Sequence, residues 1–237
     1  MDAIVFNLTT ALLLVLIAAA GLALVGRDTI PRRRLPWLAI ALTAPAVAGV
    51  VLQLCRPGAM DVLDSDPAKP GWWRVLTSVF MQNGGVAGAA WNIATLALVA
   101  ALAEWFWGRS LTLVLFLAGI LLPQHVDALL GLAAGPVDPR NFAGSSGATY
   151  FLGATLAAPL LVRTRALKER LTAAAVVALG LTLWFVQENG HGLVAVYGFV
   201  AGALTWAAGR RWIHPERDLV HPARLRMGVL PGVGGKP

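Results

Sequence analysis

The chain is short of charge, of cysteine and of acid. Charged residues make up 13% of its 237 residues, about half the share carried by soluble domains. The one cysteine, Cys55, excludes an intrachain disulfide and so a small stapled scaffold. Acidic residues number 12 against 19 Lys and Arg, leaving a formal charge of +7. In a soluble protein that excess would point to nucleic acid. Here the basic residues stand in short clusters between apolar runs, so orientation in a bilayer accounts for them better and no nucleic-acid partner is expected.

What the chain has in quantity is apolar sequence: 57% of residues are hydrophobic and the mean hydropathy is +0.69. About 20 mainly apolar residues cross a bilayer as a helix. Seven candidate spans follow, some short, at about 5–25, 36–54, 86–107, 110–123, 146–162, 171–187 and 191–208. No soluble domain of any size remains between them. The first span has no basic residue before it and exceeds a signal-peptide core in length, so it is expected to be a retained anchor.

Orientation follows from the basic clusters, because Lys and Arg in short loops stay on the cytoplasmic side. Putting 27–34 inside also puts Arg109, the cluster at 163–170 and the tail from Arg210 inside. Only Arg56, Lys69, Arg74 and Arg140 of the 19 are then outside. The expected topology is N-terminus out and C-terminus in.

On that topology the stretch AGSSGATY (143–150) opens the fifth span at its outer end, and QENGHG (187–192) opens the seventh at the same end. Helical spacing puts Ser146 on one face with Tyr150 and Gly153, and His191 on one face with Gly198 and Gly202. Gly198 and Gly202 form a GxxxG pattern that lets helix backbones approach closely in lipid. A glycine-lined contact between the fifth and seventh spans would bring Ser146 and His191 within reach. A serine hydroxyl is a weak nucleophile until an adjacent base takes its proton, and histidine is the usual base. A helix N-terminus beside the serine would add free N–H groups for an oxyanion. Ser145 falls on another face, with Thr149, which makes Ser146 the better nucleophile. The plainer alternatives are small-residue packing for Gly-Ser-Ser-Gly and an interfacial, hydrogen-bonded role for His191.

These residues resemble the rhomboid family of intramembrane serine proteases. The resemblance rests on Gly144-Ser145-Ser146-Gly147, with Tyr150 four residues beyond the serine, and on a later helix opening with His191 followed by glycines. It extends to the Trp73-Arg74 pair and to Glu104 with Gly108, and it covers about residues 36–208. It implies an all-α polytopic membrane protein with a six-helix core and one extra N-terminal transmembrane helix. The corresponding division is 1–35 as first helix and basic loop, 36–208 as catalytic core, and 209–237 as a cytoplasmic tail expected to be disordered. It implies cleavage of transmembrane protein substrates near the outer face by Ser146 and His191, with no metal and no cofactor. Tyr150 would stack on His191, and Asn92 and Gly144 would support the oxyanion site. The implied location is the plasma membrane of a bacterium, with the lipid bilayer as surroundings. Three departures stand out. Position 88 is Gly88 where the family often has histidine, the stretch between Phe80 and Asn92 is one residue longer, and Ala154 occupies a position usually held by glycine.

Other features carry less. Asp61, Asp64 and Asp66 lack the glycine and terminal glutamate of a calcium loop and fit a solvated outer loop. Trp72 and Trp73 fit an interfacial anchor. Glu104, beside Arg109, fits a local ion pair or a helix cap better than a proton path. His214 and His221 in the tail are a weak metal signal. Two rival functions stay open: a catalytically silent rhomboid-like protein that binds membrane clients, and a small transporter, against which the chain shows no internal repeat.

Overall fold

A computed structural model describes residues 3–66, 68–129 and 143–213. Their regular elements are all helical: α1 (Ala3–Val25), α2 (Trp37–Cys55), the short α3 (Ala59–Leu63) and α4 (Arg74–Thr77), α5 (Gly85–Trp107), α6 (Arg109–Leu129), α7 (Ser146–Ala154), α8 (Ala157–Arg163), α9 (Leu167–Gln187) and α10 (Gly190–Gly209). Five of these, α1, α2, α5, α9 and α10, are long and apolar enough to cross a membrane. The chain is therefore an all-α, multi-pass membrane protein. The tail histidines His214 and His221, and Arg140, lie outside the described residues.

The surface shows the same thing. On α1 the outward residues Val5, Leu8, Leu12 and Val15 are as apolar as the buried Leu13, Ile17 and Ala20. A helix apolar all round is stable only where its outer face also meets apolar surroundings. Phe185 and Val186 on α9, and Val200 and Leu204 on α10, extend the exposed apolar belt.

The fourth expected span, 110–123, is carried by α6, whose apolar run ends at Pro123. One of the seven differs from the single helix anticipated. The fifth is divided, with α7 and α8 separated at Thr155 and Leu156. Pro159 supplies the reason: it has no N–H to return to the carbonyl of Thr155 four residues earlier, and its ring crowds that carbonyl. The Leu156 N–H turns to Gly153 O (3.1 Å), while Thr155 Oγ1 donates to Leu152 O (2.6 Å) and accepts from Trp107 Nε1 (2.9 Å).

Helix α7 is the centre of the bundle. Ala148 through Ala154 are all buried, and the helix is walled by α10, α6, α5 and α1. Against it α10 lies unusually close. A β-carbon at Gly198 would fall on the carbonyl oxygen of Phe151, and one at Gly202 on that of Thr155. Gly153 does not belong to this seam, contrary to expectation. Its open side faces Ile17 of α1 and Val99 of α5, because two residues along a helix turn a side chain about 200° away from Phe151.

The first helix is no appendage. It packs against α9, α5, α8 and α7, and Leu13, Leu14, Ile17, Ala20 and Val25 belong to the same hydrophobic cluster as Leu96, Leu152 and Val176. Near its C-terminal end polar contacts tie neighbouring elements together. Arg33 Nη2 donates to Val25 O (2.8 Å) and Nη1 to Trp105 O (3.2 Å). Glu104 acts both ways anticipated for it: Oε2 accepts the Ala39 N–H in the first turn of α2 (3.0 Å), and Oε1 meets Arg109 Nε at 3.0 Å.

The α10 seam generates a stability prediction. Gly198→Ala cannot be relieved by a rotamer change, since the obstacle is backbone, and should cost about 1–3 kcal/mol. Gly190→Ala, where an added β-carbon meets open space, should stay within about 0.5 kcal/mol. Thermal unfolding in detergent micelles measures both.

Candidate active site

Ser146 is the first residue of α7, and His191 the second of α10. The two helices start at the same end of the bundle, and His191 Nε2 stands 3.0 Å from Ser146 Oγ. Both residues are half-buried. Their separation is hydrogen-bond length, the reach a base needs to take a hydroxyl proton.

Local structure brings each group to its place. Ser145 precedes α7 and gives it no side-chain cap. Thr149 is the first residue whose N–H returns to a carbonyl at this end, that of Ser145 (2.9 Å). The N–H groups of Ser146, Gly147 and Ala148 lie in the opening turn ahead of it, directed out of the helix start beside the serine hydroxyl. Gly144 approaches this turn at φ +133°, a conformation that favours glycine, and its N–H donates to Ser78 O (2.9 Å). Ser145 itself is fully buried, with Oγ 3.4 Å from Gln82 Oε1.

At the other helix, α9 ends with Glu188 in the left-handed region (φ 50°), with its N–H on Trp184 O and the Asn189 N–H on Leu183 O. The bond from the left-handed Glu188 to the carbonyl four residues back is an αL closure. Asn189 then caps α10 by accepting the His191 N–H at 3.1 Å. Two residues therefore join α9 to α10 and set where His191 begins its helix.

Tyr150 contacts His191, but edge-on rather than stacked: the ring centroids are 4.8 Å apart at 60°. The tyrosine hydroxyl donates to Thr10 O of α1 at 2.8 Å. Asn92 reaches the segment before α7 through Gln82, whose Oε1 accepts from Asn92 Nδ2 (3.1 Å). The amide nitrogen of Gln82 is turned to Val79 O (3.1 Å). Gln82 thus presents an acceptor, not a donor, toward Asn92 and Ser145. Its backbone is clamped by Gln53 of α2, which donates to Gln82 O (3.0 Å) and accepts from Gln82 N (2.9 Å).

Two residues at the site were not anticipated. Asn189 Oδ1 lies 3.2 Å from His191 Nδ1, and Asn189 Nδ2 lies 2.7 Å from Thr10 Oγ1 on α1. An asparagine immediately before a glycine and an apolar helical run is a readable cap signal. Thr10, far away along the chain, left no such signal.

No metal centre competes for this assignment among the described residues, where no group of three or more His, Cys, Asp or Glu gathers as a metal site. The aspartates of the 61–66 loop close instead on the chain's own cations. Lys69 Nζ is 3.0 Å from Asp61 and 2.7 Å from Asp64, and Arg74 Nη1 is 3.2 Å from Asp64. The hydrogen bond that Lys69 donates to Asp64, with a second to Asp61, raises the pKa of its ammonium above the ordinary value. On the lysine's side the pairing is present through neutral pH and lost as alkali deprotonates the ammonium. No protein-family model matches the chain, and neither a curated protein nor a solved structure does.

Gln82 gives the site its testable dependence on packing. Gln82→Ala removes the acceptor shared by Asn92 and Ser145 in a buried place. It should lower stability by about 1–3 kcal/mol for the stranded donors, read as thermal unfolding in detergent. An unchanged midpoint would mean that the segment before α7 is held by other contacts.

Proposed function

We propose that this protein is an intramembrane serine endopeptidase of the rhomboid type, cutting transmembrane segments of other membrane proteins near the outer face. The observation that carries the reading is the 3.0 Å contact between Ser146 Oγ and His191 Nε2. Two groups of matching chemistry meet at the starts of two closely packed helices, in a chain whose outward helix faces are apolar. Ionisable side chains within membrane helices carry a functional expectation for that reason.

The chemistry runs in two halves. Ser146 Oγ attacks the scissile carbonyl carbon while its proton passes to His191 Nε2, and the carbonyl oxygen takes the negative charge. The opening amides of α7 and the positive end of its dipole lie where that oxyanion would be stabilised. His191 then gives the proton to the leaving amine, the C–N bond breaks, and an ester on Ser146 remains. Water, deprotonated by His191, opens the ester, and the proton returns to the serine oxygen. The six-helix core would be α2, α5, α6, the divided α7–α8, α9 and α10, with α1 the additional helix. The basic residues near the C-terminal end of α1 argue for that side as cytoplasmic, and a bacterial plasma membrane is the membrane we propose.

A second reading has an observation of its own. Gly88 supplies no donor, and Gln82 turns an oxygen toward Ser145 and Asn92, as a client-binding protein without catalysis could tolerate. Reaction with a fluorophosphonate separates the two, because only an activated serine displaces fluoride at useful rates. Ser146→Ala and His191→Ala should each cut hydrolysis of a model transmembrane substrate in liposomes by at least about a thousandfold. Fluorophosphonate should label the wild type and not Ser146→Ala. Full cleavage by Ser146→Ala would remove the protease assignment.

A further inference from the structure

We propose that Asn189 and Thr10 are positioning residues that hold His191 in the tautomer a general base requires, so that α1 completes the site. The proposal rests on the reading of Ser146 as nucleophile and His191 as base, and concerns how the base is prepared.

Hydrogen-bond polarity fixes the orientation of the Asn189 amide from two sides. Thr10 Oγ1 stands 2.7 Å from the carbonyl of Phe6, which can only accept, so the hydroxyl spends its single proton there. Toward Asn189 it has only lone pairs left. The Asn189 atom 2.7 Å away must then be the amide nitrogen. From the other end, the backbone N–H of His191 can only donate, and it meets the opposite amide atom of Asn189 at 3.1 Å, which must be the oxygen. Both contacts require the same orientation of the amide.

The consequence falls on the imidazole. His191 Nδ1 faces that oxygen at 3.2 Å. An acceptor there favours the proton on Nδ1, which leaves Nε2 with its lone pair, 3.0 Å from Ser146 Oγ. The opposite tautomer would set two lone pairs against each other at Nδ1 and offer the serine no acceptor. The same residue of α1 also holds a second neighbour of the ring, since Thr10 O accepts from the hydroxyl of Tyr150, whose ring meets that of His191 at 60°. Phe6, Thr10, Asn189, His191 and Ser146 thus form one chain of bonds whose direction is set by the Phe6 carbonyl and by the His191 backbone N–H on Asn189. It performs the service that a buried carboxylate or asparagine gives histidine in soluble triads.

The test reads the tautomer directly, by 15N NMR of histidine-labelled protein in detergent, with the His191 signals identified by their loss in His191→Gln. Thr10→Val keeps the side-chain shape and removes the hydroxyl. Asn189→Ser keeps a capping oxygen for α10 and removes the amide that spans Thr10 and His191. The wild type should show His191 protonated on Nδ1 alone. Both variants should show a mixture of tautomers, with fluorophosphonate labelling of Ser146 slowed about five- to tenfold, the rate equivalent of one net hydrogen bond. Thr10→Ser should restore both readouts. A wild-type His191 protonated on Nε2, or an Nδ1 proton indifferent to Thr10→Val, overturns the proposal. If the tautomer responds as described while the wild-type serine is never labelled, the positioning role stands and the protease reading fails by itself.

Discussion

The backbone of α10 rests on the backbone of α7, and the geometry of the site depends on that approach. Gly198 and Gly202 have no side chain to hold the helices apart, and the facing atoms are carbonyl oxygens of Phe151 and Thr155. His191 lies seven residues before Gly198, and Ser146 five before Phe151. At about 1.5 Å per residue the two are lifted to heights roughly 3 Å apart above the contact, a difference that the side chains span. With ordinary side chains in the seam, helix axes sit about 8–10 Å apart, and an imidazole rooted on one helix would lose its reach to a hydroxyl on the other. Packing energy in lipid, where burial of apolar surface gives no advantage over the tails, comes mainly from such close contact. The interaction that holds the bundle together is thus also the one that sets the distance between Ser146 and His191.

Polar groups in such a bundle must find partners inside it, and this explains why the site is a connected network rather than a pair. An unpaired buried donor costs about 1–3 kcal/mol, so each group drawn in for chemistry needs another to satisfy it. Gln82 takes up Asn92 and lies within reach of the Ser145 hydroxyl, Gln53 takes up the backbone of Gln82, and Thr10 takes up both Asn189 and Tyr150. An amide in such a network is not free to serve a new partner. The orientation of Gln82 is dictated by Val79 O and by the donors it already serves.

The legibility of these features in the sequence divides along physical lines. Apolar length made α1, α2, α5, α9 and α10 readable, because a span is a composition property of consecutive residues. The shared end of Ser146 and His191 was readable from the alternation of spans, and Gly198 with Gly202 from their spacing. The division of the fifth span was written in Pro159 but hidden by the apolar run on both sides of it. Gly153 was assigned to the wrong neighbour because a helical wheel gives a face without saying which helix lies opposite. Thr10 could not have been found at all: a threonine among leucines is unremarkable until a residue 179 positions away donates to it.

That last contact bears on how the chain should be divided. Residues 1–35 and 36–208 look separable along the sequence, as a leading helix and a core. In three dimensions the boundary cuts a hydrogen-bond chain, since Tyr150 and Asn189 on one side both end on Thr10 on the other. It also cuts the packing, for α1 fills space beside α5, α7, α8 and α9, and Gly153 is a glycine because Ile17 of α1 occupies the room a side chain would need. A helix that were only an anchor would face its neighbours with replaceable apolar surface. This one meets a glycine on α7 and hands a carbonyl and a hydroxyl to the two residues that touch the histidine, so the unit that folds and the unit that would react both begin before residue 10.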